Sequence, residues 1–170
     1  ALYNNTSASD NTAVGSKALF NNVVENNTAV GSYALYYNAT GYNTAVGYQS
    51  SYYNTTGSQN ISLGQRSLRS NRTGSRNAAL GYSSLRNNTA SNNTAVGHQT
   101  SYYNTTGTSN TAVGNDALYN NTSASDNTAV GSKALFNNVV ETNTAVGSSA
   151  LYYNTTGYNT AVGHQSSYLN

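Results

Sequence analysis

The residues able to do chemistry are few and scattered. His98 and His164 stand 66 positions apart, so spacing gives no reason to read them as a metal pair or as a base with a partner. The acids are Asp10, Glu25, Asp116, Asp126 and Glu141, and none pairs with another in a pattern that suits general acid and base work. There is no cysteine and no phosphate-binding loop, and no Ser, His and Asp fall into a nucleophilic constellation. The sequence therefore argues against an enzyme, a metal centre and a cofactor. Three features with chemical potential remain. Arg66, Arg69, Arg72, Arg76 and Arg86 form a short basic band in an otherwise almost uncharged chain. It reads as a solvated band before it reads as an anion site. Tyrosines recur in pairs that could offer a platform for sugars. Thirteen asparagines open an Asn-x-Ser/Thr sequon, among them Asn5, Asn38, Asn54, Asn71, Asn104, Asn121 and Asn154, which occupy one phase of a repeat.

That repeat must position everything else. The pentapeptide core typified by Asn-Thr-Ala-Val-Gly begins at Asn11, Asn27, Asn43, Asn60, Asn77, Asn93, Asn110, Asn127, Asn143 and Asn159, in steps of 16 or 17 residues. Residues 11–25 return letter for letter at 127–141, because seven units make a 116-residue super-repeat. Residues 117–170 repeat residues 1–54 with five differences. Residues 1–170 thus read as one continuous array and as a piece of a longer one.

Sixteen residues are too few for a helical hairpin repeat and suit one coil of a β-solenoid, with rungs stacked about 4.8 Å apart. The fold class expected is all-β: a parallel β-solenoid, or β-roll, of about ten rungs with two short strands each. With the first Asn as position zero, the first strand is the Thr-Ala-Val run. Alternation puts Thr and Val on one face, and the apolar Val is expected to point inward. The expected core is Val14, Leu19, Val30, Leu35, Val46, Leu63, Leu68, Leu80, Leu85, Val96, Val113, Leu118, Val130, Leu135, Val146, Leu151 and Val162. The corners go to Asn and Gly, which tolerate left-handed backbone: Asn11 and Gly15, Asn27 and Gly31, Asn43 and Gly47, Asn93 and Gly97, Asn110 and Gly114, Asn127 and Gly131, Asn143 and Gly147, Asn159 and Gly163. The aromatic column at position nine (Phe20, Tyr36, Tyr52, Tyr102, Tyr119, Phe136, Tyr152 and Tyr168) is expected to stack along the side. Arg69 and Arg86 interrupt it on neighbouring rungs and mark it as wet, since two buried guanidinium groups at rung spacing would be costly.

With "NTAVG" followed by a small-residue and Leu run, the chain resembles the head repeats of YadA-like trimeric autotransporter adhesins. It is also similar to NTAVG arrays of phage-tail-fibre-like surface proteins. The resemblance spans all ten units and implies an extended parallel β-roll, often trimeric, on an extracellular fibre. Its departures are a longer period, the tyrosine richness and the Asn-Thr-Thr connectors.

The functional expectation is a stiff structural subunit of an extracellular fibre, self-associating as a homotrimer or filament at a cell or virion surface. N-glycans on the sequon column are expected to decorate one exposed corner. The alternative is an adhesin or receptor-binding fibre that recognises surface glycans through its tyrosine face. An ice-binding solenoid is a third possibility. It requires an outward Thr column, and the inward assignment of Val and Thr argues against it. The net charge of +2 gives no reason to expect a nucleic-acid partner, and no apolar run is long enough to span a membrane.

Overall fold

The computed structural model describes all residues, 1–170. The chain is an all-β parallel solenoid that turns once every 16 or 17 residues, as the strand register shows directly: Thr12 sits opposite Thr28, and Thr44 opposite Ile61. No helix is long and apolar enough to cross a membrane.

The principal face is a ten-stranded parallel sheet of three-residue strands. They are β1 (Thr12–Val14), β2 (Thr28–Val30), β3 (Thr44–Val46), β4 (Ile61–Leu63), β5 (Ala78–Leu80), β6 (Thr94–Val96), β7 (Thr111–Val113), β8 (Thr128–Val130), β10 (Thr144–Val146) and β12 (Thr160–Val162). Between the last members lie β9 (Asn137–Asn138) and β11 (Tyr153–Asn154), which pair with each other on the second face. That second run is bonded from rung to rung along the rod, as in the bonds from Leu19 N–H to the Ala34 carbonyl and from Asn21 N–H to the Tyr36 carbonyl.

The sheet's parity is the reverse of the one expected. The small residue at the centre of each run, Ser62 in β4 and Ala in the others, is buried in all but β1, where Ala13 is half-buried, while Thr and Val point outward. Val14, Val46, Val130, Val146 and Val162 are exposed, and Val30, Leu63, Leu80, Val96 and Val113 are half-covered at the surface, so none of these ten belongs to the core. The physical reason is the width of the rod. One turn encloses too little space for a branched side chain from both faces, so the strand turns its small residue inward and its β-branched residues to the pleated surface. Apart from asparagine, the interior consists mainly of the strand Ala, the Ala, Ser or Thr at position seven, and the leucines Leu19, Leu35, Leu68, Leu85, Leu118, Leu135 and Leu151, which are all at most 1% exposed. Those seven leucines are core, as the sequence indicates.

Glycine closes each strand. Gly31 has φ +128°, and a Cβ on it would lie 2.7 Å from the Gly47 carbonyl carbon. No side chain fits between successive corners. Three further residues per turn adopt left-handed backbone without being glycine, for example Asp10, Lys17 and Leu19 in the first turn, so the second corner falls to the residue before each position-zero asparagine and not, as expected, to the asparagine itself. The leucine is the costliest, at φ 49° for Leu19 and 48° for Leu35. Its amide bond to the next rung and its complete burial hold it there.

Candidate functional site

The interior contains amide beside hydrocarbon, 17 buried asparagines against 21 buried apolar residues. The position-zero asparagines from Asn27 to Asn143 are buried, and the Oδ1 of each accepts the backbone N–H of the next: Asn43 N–H donates to Asn27 Oδ1 at 3.0 Å, Asn60 N–H to Asn43 Oδ1 at 3.0 Å, and Asn77 N–H to Asn60 Oδ1 at 3.0 Å. The position-eleven asparagines form a second ladder beside it. Asn54 Nδ2 donates to Asn38 Oδ1 at 2.8 Å, Asn104 to Asn88 at 2.7 Å, and Asn154 to Asn138 at 2.9 Å. The other Nδ2 hydrogen bonds a carbonyl of its own connector, as from Asn104 to Gly107 at 2.8 Å.

The corner expected to be exposed is buried in this geometry. Asn38, Asn54, Asn71, Asn104, Asn121 and Asn154 are at most 1% exposed, and Asn5 is half-buried with its Nδ2 bonded to the Ala8 carbonyl. An N-glycan is attached through Nδ2, the atom that each of these residues turns into the rod. The connectors that follow them, such as Thr55 and Thr105, face solvent and carry their own ladder of hydroxyl to carbonyl bonds.

The aromatic column stacks in two runs. Tyr3, Phe20, Tyr36 and Tyr52 follow one another at 4.8, 5.2 and 5.2 Å with near-parallel planes. Tyr102, Tyr119, Phe136, Tyr152 and Tyr168 do the same at 5.4, 5.2, 5.0 and 4.9 Å. Arg69 and Arg86 fill the two rungs between. The Arg69 guanidinium lies 5.7 Å from the Tyr52 ring centre and 5.2 Å from that of Tyr53, and Arg86 lies 5.4 Å from Tyr102. Each planar guanidinium thus takes a ring's place against the aromatic run on its own side, through cation–π contact. Burial in the stack, followed by the neighbouring phenols, raises the pKa of Tyr52, Tyr119 and Tyr152 above the usual tyrosine value of 10.0.

The structure brings one pair together that spacing did not suggest. His98 Nδ1 lies 3.9 Å from Asp116 Oδ1 of the next rung, and its ring stacks on Tyr82 at 5.3 Å. A separation of one period plus one residue is the only trace of this contact in the sequence. His164 belongs to no such pair. No three His, Cys, Asp or Glu residues lie close enough to hold a metal. A surface depression of about 340 Å³ lies between two connectors, lined by Val23, Val24, Glu25, Asn26, Gly41 and Tyr42.

What the arrangement can do chemically is present repeating surfaces: a Thr and Val sheet face, an aromatic and arginine edge, and hydroxyl-rich connectors. Set against models of known families, characterised proteins and solved structures, the chain matches none.

Proposed function

We propose that this chain is a structural segment of an extracellular fibre, a thin stiff rod whose job is to span distance. The observation that carries the reading is the identity of the rungs. Every strand of the ten-stranded sheet pairs in register with the next, and the two amide ladders and the aromatic stack run along the same axis. Such a coil gains length by adding rungs, at about 4.8 Å each, with no change in its cross-section. Low charge suits lateral association into a filament or trimer, for which the outward Val and Leu column provides an apolar seam. Electron microscopy of the purified protein tests this. Unbranched rods of constant width, lengthening in proportion to the number of tandem super-repeats, are expected. Compact particles whose diameter grows with chain length would overturn it.

A second reading is favoured by one specific observation, the outward parity of the sheet. Thr12, Thr28, Thr44, Thr94, Thr111, Thr128, Thr144 and Thr160 stand in register on the surface, each two residues from an outward Val. An uncharged lattice of hydroxyl and methyl groups at rung spacing could order water and bind ice. Ile61 and Ala78 interrupt the hydroxyl column at mid-rod, which is why the fibre is preferred. Thermal hysteresis in a freezing assay supports the ice-binding reading, and its absence at millimolar protein rejects it.

A further inference from the structure

Charge is segregated along the rod. Residues 26–115 hold all five arginines and neither Asp nor Glu, while the rest holds all five acids against Lys17 and Lys133. The middle of the rod is therefore +5 without compensation. No arginine reaches a carboxylate, since the one approach of a basic to an acidic side chain is that of His98 to Asp116. The arginines also keep most of their donors free. Arg69 spends Nε on Gln49 Oε1 at 3.1 Å, and Arg86 spends Nη1 on the Tyr102 hydroxyl at 3.0 Å and on Asn87 Oδ1 at 3.4 Å. Arg66 has its Nε buried with no partner at all. A guanidinium has five N–H donors, so these groups are under-used while held still by packing.

We propose that Arg66, Arg69, Arg72 and Arg86 form a binding site for an acidic polysaccharide, with the guanidinium forks pairing oxyanions carried on sugar rings. Arg69 and Arg86 are fixed by the stack, and Arg72 is held against the Tyr53 ring at 5.2 Å. Planar forks held in this way match carboxylate or sulfate groups bidentately with little further ordering cost. The same packing disfavours nucleic acid. Tyr52 is covered by Tyr36 and Arg69, and Tyr102 by Arg86 and Tyr119, so these rings offer edges and hydroxyls and not the open faces on which bases stack. Two adjacent rungs present about 5 Å of rise between them, which suits a short run of sugars and not a long phosphate track. The site stands on its own and does not depend on the fibre reading.

The test is fluorescence anisotropy of the intact rod with labelled polygalacturonate oligomers, sulfated dextran oligomers, neutral dextran and single-stranded DNA, at physiological salt. Saturable binding of one or both acidic glycans is expected, with none of neutral dextran. The tighter of the two acidic arms identifies carboxylate or sulfate as the recognised group. The double variant Arg69→Tyr/Arg86→Tyr completes the aromatic column with the residue found on other rungs, so it preserves the rod, as circular dichroism would verify. It should weaken glycan binding by about tenfold or more. Lys133→Gln, outside the band, should leave binding unchanged. Undiminished binding in the double variant, no saturation with either acidic glycan, or tighter binding of the DNA would each overturn the proposal.

Discussion

At the scale of the residue, the interior asparagines decide most. Asn104 accepts from Asn121 Nδ2 at 3.0 Å and donates to Asn88 and to Gly107. Asn104→Ala removes three buried bonds at once and leaves their partners short, so it should cost about 3 kcal/mol, well above a typical surface change. Asn104→Asp should do at least as much harm, because the new charge has no cation within the core. Denaturant unfolding followed by circular dichroism measures both. The same burial predicts that intact-mass analysis of the folded rod finds the sequon column from Asn38 to Asn154 bare. The tyrosine stack adds a pH dependence. Folded-state burial raises the phenol pKa of Tyr52, Tyr119 and Tyr152, and so favours the protonated form. Above about pH 10 the unfolded chain loses these protons first, so their contribution is complete below that value and falls as pH rises through the folded-state pKa values. A melting temperature that declines from about pH 10 upward, with tyrosinate absorbance appearing later in the folded protein than in urea, is the expected result.

At the scale of the element, the rung is a strand followed by a row of tight turns, and the turns carry strain. Ser149 has φ 56° at the position where Lys17 and Lys133 are also left-handed. Such backbone costs a non-glycine residue roughly 1–2 kcal/mol, part of which glycine forfeits as chain entropy. Ser149→Gly should therefore stabilise the rod by about 0.5 kcal/mol, read as a higher denaturation midpoint. Gly31→Ala should do the opposite and more strongly, since its Cβ would strike the Gly47 backbone. The period, the glycine corner and the leucine column were legible in the sequence because each is a single residue type in a fixed phase. Strand parity was not legible from apolar character alone, because Val and Ala both count as apolar. The clue lay in position two, which is Ala or Ser in every unit, as at Ala29, Ser62 and Ala145, and so marks the side with no room. The burial of the position-eleven asparagines was missed for a related reason. An Asn-Thr-Thr-Gly connector looks like exposed turn chemistry, and only stacking turns its amide into an interior ladder. The left-handed leucines left no trace, since nothing in the residue type favours that backbone.

At the scale of the whole molecule, the core is continuous in hydrogen bonds and discontinuous in hydrocarbon. Apolar clusters run from Ala18 to Ala45, from Leu68 to Ala95 and from Ala112 to Ala161. Serines separate the first two, with Ser50 Oγ 2.7 Å from Ser62 Oγ and Ser51 Oγ 2.8 Å from it. Thr100 and Ser101 separate the second and third, with the Thr100 hydroxyl bonded to the Gly114 carbonyl at 2.6 Å. In a stacked array, stability is close to a sum of rung and neighbour terms, so a rung without its leucine is a weak link. A fully buried leucine contributes about 1.5–3 kcal/mol, and the hydroxyl bonds that replace it return about 1 kcal/mol each. Amide exchange should therefore reach the rungs around Ser51 and Ser101 before the leucine rungs on either side. The double change Thr100→Ala/Ser101→Leu reproduces the Ala and Leu of other rungs, such as Ala117 and Leu118, and bridges the second cluster to the third. It should slow exchange at that rung and raise the melting temperature. If exchange instead proceeds only from the two ends of the rod, with Ser101 protected as well as Leu118, then the amide and backbone ladders and not the hydrocarbon core set the rod's cohesion.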